Sequence, residues 1–322
     1  MIRLEDLLNI YESVPEVEMS PQFAYVYSNL VETTDGLFWQ GVRKHALRNW
    51  YEKHKGLLNE NIKIKYTPAR IPKRSGGVRT LYIPDEKLKQ RQRAWLEMLY
   101  IVFPRARFAY AFERGKSLRD SLEKHVGNYL FMKFDIQDAF PSVKKEVLHS
   151  VLERASFAWS VREHLIRDCY YKGLPQGAPT SGKLFNIVMS STDSFIATVI
   201  RRVGGTYTRY ADDILISFPR GTKASIRKTF ATVERYLHDI GLGLNSKKVR
   251  VSKGKAKVLG CVVHSSGITI SRKVRRLYRA MLHNNKTGKR FIGKDKINGI
   301  RGWLNTVYKG EEVPAVKGVE FK

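Results

Sequence analysis

Three carboxylates stand at points where strand-like sequence gives way to a turn. Tyr210-Ala211-Asp212-Asp213 lies inside the stretch from Thr206 to Ser217, Thr-Tyr-Thr-Arg-Tyr-Ala-Asp-Asp-Ile-Leu-Ile-Ser. Apolar and β-prone residues run up to the acidic pair and resume directly behind it, so the stretch reads as two strands joined by a tight turn with both acids at its tip. Standing alone, such a turn is as readily a solvated Asp-rich loop. Upstream, Phe131-Met-Lys-Phe-Asp135-Ile-Gln-Asp138-Ala-Phe140-Pro-Ser142 reads as an apolar strand that ends on Asp135 and enters a turn closed by Pro141. Carboxylates brought together from two such strand ends repel one another unless a cation lies between them, and hard oxygen ligands of this kind select Mg²⁺. In a two-metal site one ion activates an attacking hydroxyl and the other steadies the leaving oxygens of an in-line displacement. The chemistry these residue types point to is phosphoryl transfer.

The elements that must hold these acids can be read on either side of them. Residues 1–60 read as helices, with Phe38, Val42, Ala46 and Trp50 spaced as a docking stripe among basic neighbours. Alternation begins at Ile62 and resumes through Leu81 and Ile83, so Ser75-Gly76-Gly77 reads as a hairpin turn with cations on both flanks, able to close over a triphosphate. The alternative is a solvated basic turn. Asp85 is a fitting N-cap for a helix whose inner face carries Leu88, Trp95, Leu96 and Leu99 and whose outer face carries Lys87, Lys89, Arg91 and Arg93. Helices are also expected over 117–126, around Leu165, Ile166 and Cys169, from Ser181 onward, and over 222–240 through Ile226, Phe230, Val233 and Leu237. Between two of them, Pro175 and Gly177 make a rigid turn that presents the Gln176 amide.

Near the C-terminal end, Ser271 can cap a helix with Val274, Leu277 and Met281 inward. Arg272, Lys273, Arg275, Arg276 and Arg279 cover much of its remaining surface with no acid to balance them, which points to contact with a nucleic-acid backbone. A second helix follows through Ile297, Ile300, Leu304 and Val307.

Composition agrees with a polyanion partner. The chain has 322 residues, 43% of them hydrophobic, and a formal charge of +28. That is enough apolar content for a substantial core, and enough charge to draw nucleic acid phosphates. No apolar run is long enough to span a bilayer, and the N-terminus has no signal-peptide core, so a cytoplasmic protein without a membrane partner is expected. The only cysteines, Cys169 and Cys261, are too few for a zinc site or disulfide framework and are expected to be reduced core thiols.

Five blocks in order, Phe134-Asp135-Ile-Gln-Asp-Ala-Phe140, Leu174-Pro-Gln176-Gly177-Ala-Pro-Thr-Ser181, Tyr210-Ala-Asp-Asp213, Gly241-Leu-Gly-Leu-Asn245-Ser-Lys-Lys248 and Val258-Leu-Gly260, resemble the motif series of reverse transcriptases. The resemblance covers roughly residues 60 to 305 and is strongest to bacterial retron and retron-like defence enzymes, with group II intron enzymes further off. It implies an α+β right-hand polymerase of fingers, palm and thumb, with a ferredoxin-like antiparallel palm sheet and a helical thumb. The boundaries expected are 1–60 for an N-terminal helical extension, 61–130 for fingers with the first part of the palm, 131–263 for palm with finger helices over 143–175, and 264–322 for a short basic thumb.

The resemblance also implies residue roles. Asp135, Asp212 and Asp213 would be the catalytic acids, holding two Mg²⁺ ions (Mn²⁺ being able to substitute) together with the Ile136 carbonyl. Lys73 and Arg79 would meet the incoming nucleotide, Arg79 the better placed because its fork matches phosphate geometry, while Arg70 and Arg74 compete for the Lys73 role. Phe140 would stand beneath the sugar as a steric gate against a 2′-hydroxyl, the alternative being a core ring at a strand end. Gln176 would belong to the nucleotide pocket. Lys248, selected over Lys247 by the Asn-x-x-Lys pattern, would stabilise or protonate the leaving pyrophosphate, the alternative being backbone binding. Of the Asn-Ala-x-x-His signature of retron enzymes only His125 is present, and it is read as structural.

The partners implied are a cognate non-coding RNA as template, an RNA–DNA hybrid, dNTPs and an effector protein in anti-phage defence, with no ribonuclease H, maturase or endonuclease domain expected. The competing functions are a catalytically idle RNA-binding scaffold and a polymerase of different template preference.

Overall fold

The computed structural model describes residues 2–8, 34–72, 76–221, 223–287 and 293–308. At its centre is a four-stranded antiparallel sheet made of β3 (Leu130–Asp135), β4 (Thr206–Tyr210), β5 (Asp213–Phe218) and β6 (Arg250–Lys253), in the spatial order β4-β5-β3-β6. Helix α7 (Ser181–Arg202) leads into β4, and helix α8 (Lys223–His238) lies between β5 and β6 in the chain. That succession and strand order are those of a ferredoxin-like split βαβ sheet.

Strand periodicity gives the sheet two different faces. Met132, Phe134, Ile214, Ile216 and Phe218 turn toward α7 and α8 in the main core, where Phe134 lies 6.3 Å from Phe230 of α8. Phe131 and Leu215 turn the other way, into a second core. That core is completed by α4 (Leu118–Glu123), by a three-stranded sheet of β7 (Lys255–Val258), β8 (Cys261–His264) and β9 (Gly267–Ile270), and by α10 (Lys294–Tyr308). Between α4 and the sheet lies a buried polar layer. His125 Nδ1 is 2.6 Å from Ser217 Oγ and its Nε2 is 2.8 Å from Thr208 Oγ1, while Asn128 donates to Ser217 at 2.6 Å. Burial pushes the His125 pKa down to about 3, so the ring is neutral and structural, as expected from sequence.

Around this core the sequence signals are largely met. Helix α1 (Leu4–Leu8) packs on the long α2 (Thr34–Asn59), which packs in turn on α3 (Glu86–Val102); Asp85 caps α3 by accepting from the Leu88 amide at 2.8 Å. Trp50 anchors α2, its indole N–H donating to the Ala94 carbonyl at 2.8 Å. The docking stripe is set differently from the expectation, since Leu47, Trp50 and Leu58 are buried and Val42 is exposed. The hairpin β1 (Tyr66–Pro72) and β2 (Val78–Pro84) pairs from Tyr66 rather than from Ile62. Helices α5 (Lys145–Arg154) and α6 (Trp159–Cys169) follow β3.

Two expectations fail for one physical reason: spacing cannot show what faces a side chain. Arg91, read on the outer face of α3, is fully buried, donating to the Leu57 carbonyl at 2.9 Å and pairing with Asp168 of α6 at 3.5 Å. Leu277, read as inward on α9 (Arg272–Lys286), is half exposed, and Tyr278 packs instead, edge-on to Trp303 at 5.7 Å. Both cysteines are buried free thiols. No helix among the described residues is long and apolar enough to cross a membrane.

Candidate active site

The acids meet at one end of the central sheet. In the β3–β5 ladder Asp135 is the direct cross-strand partner of Asp213, and in the β4–β5 ladder Tyr210 partners Asp213, leaving Ala211 and Asp212 as the two-residue turn. Ala211 has φ 57°, the left-handed geometry that tight hairpins require. The Ile136 amide donates to the Asp212 carbonyl at 3.0 Å, tying the segment after β3 to the turn. Sequence separation is thus closed by three pairings of backbone.

Two of the carboxylates are paired with lysines. Lys248 Nζ lies 3.0 Å from both Asp135 oxygens, and Lys133 Nζ lies 2.8 Å from Asp213 Oδ1. Among the described residues no three acidic, His or Cys side chains are gathered on one point in this arrangement. Asp212 stands half-buried in the turn itself. Burial, reinforced by the charges of Asp213 and Asp135, pushes its carboxyl above its ordinary pKa, and Arg79 acts on it in the opposite direction. The donor set, carboxylates and a backbone carbonyl with one acid held in a desolvated, negative environment, suits a hard divalent cation.

The other residues singled out by sequence fall around this corner unequally. Arg79, exposed on β2, is close enough to act electrostatically on Asp212, so the hairpin faces the acids. Lys73 lies outside the described residues. Gln176 is fixed by its backbone, its carbonyl accepting from the Tyr82 amide of β2 at 2.8 Å, while its side-chain Oε1 is buried without a hydrogen-bond partner. Phe140 is half-buried, stacked on Phe185 of α7 at 4.9 Å, and its carbonyl accepts from Leu174 at 2.9 Å, which ties the Gln176 turn to the segment after Asp135. Lys248 belongs to a short 3-10 turn over Ser246–Lys248, placed because Asn245 donates its amide to the Asp135 carbonyl at 2.8 Å. On α9, Arg272, Lys273, Arg276 and Arg279 are exposed, whereas Arg275 is half-buried and donates to the Ile270 carbonyl at 3.2 Å.

Sequence reasoning missed three supports of this corner. Lys133 was legible in principle, since it lies two residues before Asp135 and so on the same strand face. Arg209 was not: its guanidinium grips Asp193 of α7 at 2.7 to 3.1 Å and donates to the Ala211 carbonyl at 2.8 Å, a partnership no local pattern announces. The third is a buried cluster in which Lys183 pairs with Glu113 at 3.1 Å and Asn186 donates to the Ala111 carbonyl at 2.9 Å.

Residues 71–263 match the family described as reverse transcriptase (RNA-dependent DNA polymerase). Among curated proteins, the retron Mx65 reverse transcriptase of Myxococcus xanthus is 33% identical over 239 residues, covering 68% of this chain and 55% of that protein. The retron Ec86 reverse transcriptase of Escherichia coli is 31% identical, covering 71% of each. The retron Mx162 reverse transcriptase of Myxococcus xanthus is 29% identical, covering 79% of this chain and 59% of that protein. The chain thus spans between about half and three quarters of the length of these relatives. A telomerase from Candida albicans, solved with a fragment of telomeric RNA, overlaps with a TM-score of 0.48 at 15% identity over 76% of this chain and 56% of that one, too slight a likeness to argue from. The matched segment contains the ferredoxin-like sheet and all three acids, and on that ground the chain belongs to the reverse transcriptase family and is of the retron type.

Proposed function

We propose that this protein is an RNA-directed DNA polymerase: a primer 3′-hydroxyl attacks the α-phosphate of a dNTP, the bond to the bridging oxygen breaks, and pyrophosphate leaves. The observation that carries this reading is the cross-strand pairing of Asp135 with Asp213 beside the Asp212 turn, facing Arg79 of the hairpin. When bound, two divalent ions held by Asp135, Asp212, Asp213 and the Ile136 carbonyl would supply the activation of the attacking hydroxyl and the neutralisation of the leaving oxygens. Arg79 would take the triphosphate with its planar fork, Lys73 assisting. Gln176 would turn its unpaired amide oxygen to the nucleotide, and Phe140 would refuse a 2′-hydroxyl. Lys248, whose Nζ lies beside Asp135, would donate a proton to the departing pyrophosphate.

In this reading residues 61–130 serve as fingers, 131–263 as palm and 264–322 as thumb, with Arg272, Lys273, Arg276 and Arg279 on the backbone of an RNA–DNA hybrid. Arg275 would support the helix that carries them. The likeness to retron reverse transcriptases supports RNA as the template; in this reading that RNA is a cognate structured non-coding RNA, and the setting is anti-phage defence with an effector protein.

Primer extension on matched RNA and DNA templates, with wild type and Asp212→Ala/Asp213→Ala, tests the proposal. It expects dNTP incorporation on RNA, abolished in the variant while RNA binding is kept. Equal inactivity of wild type on every primer-template would favour the scaffold reading, and extension confined to DNA templates would favour a polymerase of different preference.

A further inference from the structure

Phe112 has a left-handed backbone, φ 59°, an outlier for a bulky residue, and its side chain is 48% exposed. A ring so placed adds little to the core, yet the segment carrying it is fastened at almost every step. Tyr100 Oη donates to the Phe112 carbonyl at 2.8 Å, and Asn186 Nδ2 donates to the carbonyl of Ala111 at 2.9 Å and to the carboxylate of Glu113 at 3.1 Å. Lys183 pairs with the same buried carboxylate at 3.1 Å. Upstream, the Tyr110 amide donates to the Arg209 carbonyl and the Arg209 amide to the Phe108 carbonyl, each at 2.9 Å, so the segment also leans on the strand that leads to Asp212.

What this mount presents is a ring set edge-on to Phe140, with centroids 6.0 Å apart and planes at 90°. Phe185 stacks on Phe140 as well, at 4.9 Å and 26°. Beneath Phe112, a Cβ at Gly182 would stand closer than 3.0 Å to three atoms of its side chain, so glycine is what lets the ring sit there.

We propose that Phe112 is a positioning residue for sugar selection: with Phe185 it brackets the Phe140 ring, so that Phe140 cannot swing away from a 2′-hydroxyl. The inference rests on the polymerase reading. A steric gate discriminates by a single oxygen atom, and a ring held by one neighbour alone can rotate to admit it; two rings at right angles deny that freedom. The backbone strain at Phe112 is the cost of placing the second ring.

The test is single-nucleotide incorporation of a dNTP and the matching rNTP on one primer-template, read as the ratio of their kcat/KM values. Phe112→Ala is expected to raise the rNTP-to-dNTP ratio about tenfold, the scale of discrimination a shape-built pocket supplies. Phe112→Tyr, which keeps the ring, is expected to restore the wild-type ratio, and Gly182→Ala, which displaces the ring from below, to move it as Phe112→Ala does. In a Phe140→Ala background, Phe112→Ala is expected to change the ratio no further. A ratio unchanged in Phe112→Ala, or one that still shifts without Phe140, overturns the inference and leaves the polymerase reading standing. Wild type that incorporates neither nucleotide on any primer-template overturns both.

Discussion

Asp193 of α7 holds Arg209 of β4 through both carboxylate oxygens, at 2.7 to 3.1 Å, and both side chains are buried. Because Arg209 also donates to the Ala211 carbonyl, this pair links the helix behind the sheet to the turn that carries Asp212. Removing one partner strands the other as a buried charge. Arg209→Met or Asp193→Leu is therefore predicted to cost about 3–5 kcal/mol, and the double replacement less than either single one, measured by urea unfolding. Additive losses would mean the two do not act as a pair.

A pH effect follows from His125. Its folded pKa of about 3 lies below the ordinary value of 6.5, so the unfolded chain takes up a proton first as pH falls. Stability from the neutral ring is fully present above pH 6.5 and is lost progressively as pH drops toward 3. Between about pH 6.5 and pH 5 the wild type is predicted to lose roughly 2 kcal/mol more than His125→Gln does, in paired unfolding curves. Parallel curves would contradict it.

Lys133 pairs with Asp213 and Lys248 with Asp135. With Lys133→Met one carboxylate loses its counter-charge, and a divalent ion has no ammonium to displace there. Mg²⁺ is predicted to stabilise this variant more than wild type, by about 1 kcal/mol at a saturating concentration, read from melting in Mg²⁺ against EDTA. The same increment in both proteins would show that the ion does not meet Asp213.

Gly173 has φ 99°, and a Cβ there would lie 2.5 Å from the Pro141 carbonyl oxygen. Gly173→Ala is predicted to destabilise by at least roughly 1–3 kcal/mol, the backbone-strain cost alone, and to impair catalysis by shifting Phe140, whose carbonyl Leu174 binds. Gly204, also left-handed but with open space around it, is the control, with Gly204→Ala losing only the strain term.

How legible all this was depended on whether a residue's partner is local. The Asp212 turn, the Asp85 cap and the alternation of β3 follow from near neighbours, so the sheet and its acidic tip could be read directly. The Asp135–Asp213 pairing spans 78 positions and entered through motif order, since a strand's pattern states which face is buried but not which strand lies beside it. Arg91 and Arg209 resisted altogether. Both look like surface cations in sequence, and their buried partners lie elsewhere in the chain: Asp168 and the Leu57 carbonyl for Arg91, Asp193 for Arg209.

The polymerase reading stands on where divalent ions bind. The most direct measurement is anomalous diffraction from crystals holding Mn²⁺, a chain-terminated primer on an RNA template, and a matching dNTP. Two peaks about 3.5–4 Å apart are expected, bounded by Asp135, Asp212, Asp213 and the Ile136 carbonyl. Peaks elsewhere, or none with nucleotide bound, would contradict it.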